Sequence, residues 1–556
     1  MKRFHLLLII IFLLSPLIFP QNKVRVDIIQ TTDLHGRIMP YNYFNGKEVS
    51  RGLAKVATYI KEVRKKYKNV ILVDNGDTIQ GTPLTYYFEV IRKDKINPMA
   101  LIMNYLHYDC ATIGNHEYNY GLDVLFKYQK DLHCPLLSAN TYKKGAKWPF
   151  FKPYIVKNFD GVKIAIIGLT TSNIPNWEPK EHIDDLIWKD TAKEAQKWVK
   201  YVREKEKVDA VIIDTHEGFG ADLKTGKPDD SFYESKAYFI AKNVKGVDVL
   251  LTGHAHRNIP PFLINGVLAS QGSCWGKYVT HDVLIFEKIN GKWKITKKYG
   301  HNIKMKYKIP PDPEVVKLIE PYHNEVLKWV NSIIGYAEGD FTTETVQIED
   351  NPLMDLLENI MKETVHSQMA MASYLPGHPI TIKKGPIRVR DIYSFYIYEN
   401  SLVSLELSGR DIKEALEHSA EYYGNEFTWN PVEKILNLKI NPKFRHYNFD
   451  TLQGATYVIN PLKPVGKRIE RLYFNNLPMD MGKKYSVAVS SYQAYGGGQY
   501  EMFKRAKILE KNPSDIRNLM IKYIKVKGKI YPTCDQNWYL KIPVNLIKPE
   551  WMKKKK

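Results

Sequence analysis

The stretch "VRVDIIQTTDLHGRIMP", residues 24–40, ends an apolar β-type run with Asp33 and His35, one residue apart. A carboxylate and an imidazole at the mouth of a strand, standing alone, read as a cap and a surface histidine. Here the pattern recurs. "NVILV" runs out into "DNGDT", with Asp77, and "CATIG" into "NHE", with Asn115 and His116. "VDAVIID" runs out into "THEG", with His216, and "VDVLLTG" into "HAH", with His254 and His256. Between these runs lie stretches such as "LAKVATYIKEVRKKY", apolar at three- and four-residue spacing. Residues 23 to about 300 therefore read as alternating strands and helices, an α/β pattern. In such sheets, sites form beyond the carboxyl ends of the strands, so these strand ends can converge on one point.

The residue types say what that point holds. Asp33, His35, Asp77, Asn115, His216, His254 and His256 offer nitrogen and oxygen donors and no thiolate. That set suits Mn, Zn, Co or Fe rather than a sulfur-selected metal. Seven ligands exceed one tetrahedral zinc. Two divalent ions sharing a carboxylate fit, and such pairs, about 3.5–4 Å apart, clamp both oxygens of an in-line displacement at phosphorus.

The bulk numbers agree with a globular enzyme of anionic substrates. The chain has 556 residues, too long for one core, so two domains are the default. It is 44% hydrophobic and 25% charged, with a formal charge of +21. That charge suits phosphates and nucleotides, and a lysine-rich solvated surface accounts for much of it. No arginine-rich arm or nucleic-acid motif is present, so polymer binding is not expected. The start, "MKRFHLLLIIIFLLSPLIFP", has a basic head in Lys2 and Arg3 and an apolar run from Leu6 to Phe19. It reads as a secretory signal peptide over 1–20 without an A-x-A cleavage site, the alternative being an uncleaved anchor. A secreted, periplasmic or cell-surface protein is expected, with no stable membrane insertion once the signal is removed. Cys110, Cys134, Cys274 and Cys534 lack C-x-x-C spacing. Their pairing is not readable, and Cys110 with Cys134 is the pair to test first.

"HNIKMKYKIPPD", residues 301–312, is basic and proline-punctuated and marks a boundary. The next segment, "PEVVKLIEPYHNEVLKWVNSII", predicts an amphipathic bridging helix with a kink at Pro321. Beyond it, helices such as "NPLMDLLENIMKETV" and short strands such as "YSVAVSS" suggest an α+β domain. "WMKKKK" closes the chain as a solvated tail.

The ordered set "DLHG…DNGDT…GNHE…THEG…GHAH" resembles the calcineurin-like metallophosphoesterases, in the 5′-nucleotidase family of two-domain exported enzymes. The resemblance implies an N-terminal four-layer α/β/β/α sandwich over 21–310. It implies a linker helix over 311–336, a C-terminal α+β nucleotide-binding domain over 337–548 and a basic tail over 549–556. It assigns Asp33, His35, Asp77 and His256 to one ion and Asp77, Asn115, His216 and His254 to the other, with Asp77 bridging. It makes His116 the catalytic histidine. In 5′-nucleotidases an Asp three residues on orients that histidine, and here the position is Asn119. An amide orients an imidazole but does not stabilise its cation as a carboxylate does. "GNHEYNYGLD" instead resembles the 2′,3′-cyclic-nucleotide 2′-phosphodiesterase/3′-nucleotidase branch, as do "GPIRVRDIYSFYIYENSL" and "YNFDTLQGATYVI". "ASYLPGH" stands where 5′-nucleotidases usually carry "NSGG".

By the same likeness two aromatic rings sandwich the base. Tyr447 and Tyr492 are the expected pair, with Phe449 and Tyr495 as alternatives, and Gly496, Gly497 and Gly498 allow close backbone approach. Segment 266–276, "GVLASQGSCWG", is expected as a loop near the metals, with Cys274 either exposed or buried. The implied activity opens 2′,3′-cyclic nucleotides to 3′-nucleotides and then releases the 3′-phosphate, in phosphate and nucleoside scavenging. Rivals are a 5′-nucleotidase or nucleotide-sugar hydrolase, a dimanganese sulfur-compound hydrolase, and a non-catalytic surface nucleotide-binding protein.

Overall fold

The computed structural model describes residues 22–229, 231–430 and 435–541. The expected signal peptide and basic tail lie outside the described residues. Two six-stranded sheets organise the first half. One runs Lys292–Lys304, Tyr278–Ile289, Lys23–Thr31, Val70–Asp74, Cys110–Thr112 and Leu136–Leu137. The other runs Asn258–Ile264, Val267–Gly272, Val249–Thr252, Ala210–His216, Val162–Thr170 and Tyr154–Phe159. The ligand-bearing strands are central and parallel to their neighbours of the same kind, so their carboxyl ends share one edge.

Alternation along these strands builds the layers. Val24, Val26, Ile28, Ile71 and Val73 of the first sheet pack against Ile164, Ile166, Ile212 and Leu251 of the second. The opposite faces bury Ile29 and Leu72 under helices Leu53–Lys66, Pro98–Tyr105 and Leu122–Asp131. Ala165 and Ile213 lie under Thr191–Tyr201 and Ala237–Asn243. The result is the expected α/β/β/α sandwich. Period-2 burial on both faces explains why the strands read as nearly continuous apolar runs.

Three local expectations need revision. Residues 266–276 are not one loop. Val267–Gly272 is a strand parallel to Val249–Thr252, and only the stretch after it turns. The helix Pro313–Asn331 runs unbroken through Pro321, capped by Asp312, which accepts the Val315 N–H at 3.0 Å. All four cysteines are free thiols, with Cys110 and Cys274 buried. The long antiparallel pair Tyr278–Ile289 and Lys292–Lys304 closes through Asn290-Gly291, both at positive φ (51° and 76°). Two residues of that kind make the tight hairpin turn that matches strand twist.

The second half is α+β. A five-stranded sheet has the order Asp450–Gln453, Met369–Ser373, Lys484–Ser490, Ser401–Ser408, Lys507–Asp515. Helices Pro352–Thr364 and Ile516–Lys527 share a core with it. The halves meet at a buried joint. Trp329, on the bridging helix, stacks on Tyr86 (6.0 Å, 12°) and meets Tyr393 edge-on. Arg517, 2% exposed, pairs with Glu399 and with Asp515 at 3.2 Å, and Glu399 also accepts from Gln80 of the first half. Removing one member of a buried ion pair leaves an uncompensated charge. Arg517→Met should therefore destabilise the protein by about 3–5 kcal/mol in denaturant unfolding. Adding Glu399→Gln to it should recover part of that loss.

Candidate active site

Five of the seven predicted ligands sit in left-handed backbone: Asp33 (φ 50°), His35 (47°), Asp77 (55°), His254 (64°) and His256 (55°). Asp and His enter that region more readily than bulky or β-branched residues, yet each such residue costs about 1–3 kcal/mol. The strained turns aim successive side chains inward just past the strand ends. Two glycines make room. A Cβ on Gly76 would strike the Gly114 backbone, and one on Gly114 would strike the Asp77 carboxylate.

The structure brings all seven together. Donor atoms of Asp33, His35, Asp77 and His256 lie within 4.8 Å of one another, as do those of Asp77, His216 and His254. Asp77 belongs to both groups. Asn115 joins the second group, its Oδ1 2.9 Å from His254 Nδ1. His35 Nε2 and His256 Nε2 face each other at 3.0 Å, and His256 Nε2 lies 3.3 Å from Asp33 Oδ1. His216 Nε2, fully buried and 3.0 Å from Asp77 Oδ2, has no hydrogen-bond partner. Lone pairs crowded in this way, with an orphaned buried nitrogen among them, fit divalent cations. The remaining ring nitrogens confirm the orientation. His35 Nδ1 donates to the Gln80 carbonyl (2.9 Å) and His216 Nδ1 to the Asn75 carbonyl (2.7 Å), which leaves both Nε2 atoms for metal.

Buried carboxylates hold the ligand turns. Glu117, 1% exposed, accepts the N–H groups of Asp77 (2.8 Å), Thr78 (2.6 Å), Ile79 (3.3 Å) and Gly114 (2.7 Å). It therefore ties the Asp77 turn to the Asn115 turn. Burial and the Asp77 charge push its carboxyl up, and the backbone donors oppose that. Asp214 accepts from Asn75 and Thr112, each at 2.6 Å, across the gap between the two sheets. Burial lifts its carboxyl to about 7. In the metal-free protein, burial lowers His35 to about 3, reinforced by His256. Burial also opposes charge on His216, but Asp77 overrides it and raises His216 to about 10.

His116 stands beside this centre. Its ring meets that of His35 edge-on at 5.3 Å, and its backbone N–H binds Asp77 Oδ1 at 2.8 Å. Its Nδ1 is 2.6 Å from Asn119 Oδ1, the contact expected of an orienting residue.

Two family models match the chain: calcineurin-like phosphoesterase over residues 26–258, and 5′-nucleotidase C-terminal domain over residues 333–505. The protein joins a calcineurin-like phosphoesterase domain to a 5′-nucleotidase C-terminal domain. It is a metal-dependent phosphoester hydrolase. The chain is 28% identical to the trifunctional nucleotide phosphoesterase protein YfkN of Bacillus subtilis, over 93% of this chain but only 39% of that one. It is also 28% identical to the 2′,3′-cyclic-nucleotide 2′-phosphodiesterase/3′-nucleotidase of Salmonella typhimurium, over 93% of this chain and 89% of the other. In fold it superposes on a 5′-nucleotidase precursor from Thermus thermophilus with a TM-score of 0.65, at 22% identity, covering 93% of this chain and 99% of that one.

Glu234 lies between the phosphoesterase centre and two tyrosines of the C-terminal domain. Glu234 Oε1 lies 3.7 Å from His254 Nε2. Its charge also reaches Tyr447 and Tyr492, whose phenols are raised first by burial. Both rings are half-buried. Gly498 N–H donates to Tyr492 Oη at 3.0 Å, which fixes that ring against the glycine turn. Tyr495 is half-buried under the Lys511 ammonium, 5.9 Å above its ring. Phe449 is corrected: it has no exposed surface and packs among Tyr422, Tyr423 and Trp538, so it is a core residue. Cys274 is buried, the second of its two expected states.

Several working residues escaped sequence reasoning. Glu117 stood inside "GNHE" but showed no sign of its four backbone partners. Trp177 stacks on His254 (5.4 Å, 30°), and Glu178 follows it. They lie in "IPNWEPKEH", just beyond Val162–Thr170, the parallel strand to which no ligand was assigned. That vacancy in the pattern was the available signal.

Glu117→Gln should weaken Mn²⁺ affinity about 10- to 100-fold, the usual cost of disturbing an outer partner of ligands, as read by calorimetric titration. Metal binding near neutral pH should release protons, because His216 and His256 are both raised by the carboxylates they face, Asp77 and Asp33, and must give theirs up to coordinate. Apparent affinity should therefore rise with pH, and titrations in buffers of different ionisation enthalpy would measure the release.

Proposed function

We propose that the protein is an exported two-metal phosphohydrolase that opens 2′,3′-cyclic nucleotides to 3′-nucleotides and then hydrolyses the 3′-phosphate to nucleoside and phosphate. The observation that carries the reading is Asp77, common to two donor clusters, with the His116 ring beside them. The branch rests on Asn119 and on relatives named 2′,3′-cyclic-nucleotide 2′-phosphodiesterase/3′-nucleotidase from Salmonella, Haemophilus and Yersinia, 26–28% identical. Export rests on the basic start and apolar run of residues 2–19. Among the described residues no helix is long and apolar enough to cross a membrane.

Bound at this centre, divalent ions supply Lewis-acid charge to the phosphoryl oxygens and lower the pKa of water. The chain's own residues supply the rest. Tyr447 and Tyr492 hold the base, with Tyr495 the remaining alternative. Asp33, Asp77 and the imidazoles fix the charge of the centre, and His256, the most exposed ligand at 39%, marks the open side. As a water oxygen bonds to phosphorus and releases its proton to solvent, the P–O2′ bond breaks, and His116, its Nδ1 proton held on Asn119, when protonated at Nε2 gives that proton to the departing 2′ oxygen. The same arrangement then serves the 3′-phosphate, with the 3′ oxygen leaving.

Purified protein with Mn²⁺ should convert 2′,3′-cyclic AMP to 3′-AMP and then adenosine, with 5′-AMP turned over slowly. Faster turnover of 5′-AMP would move the protein to the 5′-nucleotidase reading. In Tyr447→Ala/Tyr492→Ala, the preference for 3′-AMP over p-nitrophenyl phosphate should fall by about 10- to 100-fold, since a stacked base is worth roughly 1–3 kcal/mol. An unchanged preference would remove the tyrosines from the site.

A further inference from the structure

An asparagine is a poor guide for a histidine unless something decides which end of its amide faces the ring. The carbonyl oxygen only accepts and the amide nitrogen only donates, yet the two are nearly the same shape. Asn119 has such a guide. Its Nδ2 lies 2.5 Å from Glu178 Oε1, on the side opposite His116. An ionised carboxylate only accepts, so it claims the amide nitrogen and turns Oδ1 to His116 Nδ1, 2.6 Å away. Oδ1 in turn requires a proton on Nδ1, which leaves Nε2 as the reactive nitrogen.

Glu178 is held for that task. It is 6% exposed, and its second oxygen lies 3.1 Å from His182 Nδ1. Its backbone N–H binds the Ile174 carbonyl at 3.0 Å, closing the turn that also stacks Trp177 on His254. One short segment therefore braces a metal ligand with Trp177 and the amide of Asn119 with Glu178. In the 5′-nucleotidase pattern a carboxylate sits directly on the histidine; here a carboxylate stands one amide further away.

We propose that Glu178 is the positioning residue of the active site, fixing the His116 tautomer through the Asn119 amide. It acts through another residue and touches neither substrate nor metal. The inference rests on His116 being the catalytic histidine of a phosphoesterase.

The test exchanges donor and acceptor along the relay. Glu178→Met leaves the Asn119 amide unguided. Asn119→Asp sets two carboxylates against each other. Asn119→Asp/Glu178→Gln restores one donor and one acceptor, with the carboxylate now on His116. All are assayed as Mn²⁺-loaded full chains on bis-p-nitrophenyl phosphate, with metal content and melting temperature measured alongside. Each single variant should lose about 10- to 100-fold in kcat, with KM and metal content little changed. The double variant should exceed both singles in kcat, a non-additivity expected only of residues in one network. A double variant no better than the singles, or Glu178→Met at wild-type kcat, would overturn the proposal. If Glu178→Met fails to fold, the Asn119→Asp pair alone decides by the same comparison. A wild-type protein inactive on this ester would instead remove the phosphoesterase reading beneath it, so the two failures are distinct.

Discussion

Everything at the centre depends on one buried carboxylate that several imidazoles face. Asp77 is 1% exposed and reaches His35, His216 and the backbone of His116. In a low-dielectric interior a charge of this kind is tolerated only when opposite charge or donors surround it. Divalent cation charge at these clusters would answer that need, and the fold is arranged to bring the donors together. The parallel strands end at one edge, the turns beyond them enter left-handed backbone, and Glu117 binds two of those turns into one unit.

The strain in those turns is sustained by the layers behind them. The inter-sheet core of Val24, Val26, Ile28, Ile164, Ile166 and Ile212 keeps the two sheets in register. Asp214 then spans the gap by accepting from Asn75 and Thr112. Ligands on the first sheet, such as Asp77, and on the second, such as His216, can therefore share one centre. Five left-handed ligands would be unstable in a peptide, and here the surrounding packing over-determines them.

The second domain is joined through aromatic stacking and a buried ion pair rather than by a flexible tether. Trp329 on Tyr86, and Arg517 with Glu399 and Gln80, give the domains a defined face. Tyr447 and Tyr492 of the second domain feel the charge of Glu234 of the first, which itself lies 3.7 Å from His254.

Continuous apolar runs closed by Asp, Asn or His made the central strands and all seven candidate metal donors legible in the chain itself. Their signal is local: a β-branched run, then a polar turn. Residues whose role lies in long-range geometry left no such mark. Phe449 and Tyr447 are two positions apart in one motif, yet one is core and the other half-buried. Glu178 lies 59 positions from Asn119, and only the folded chain brings its carboxylate to the amide. The antiparallel hairpin through Asn290-Gly291 joins the first sheet beside Lys23–Thr31, a pairing across more than 250 residues of chain. The amino-acid sequence by itself determined the α/β alternation, the donor set and the two-domain plan, because these follow from periodicity, chain length and side-chain chemistry, while the four-layer sandwich was legible only through the family resemblance. Which carboxylate reaches the Asn119 amide beside His116, and which aromatics of the second domain are left partly exposed, was decided by tertiary structure, because hydrogen bonding and burial depend on neighbours that the chain order does not reveal.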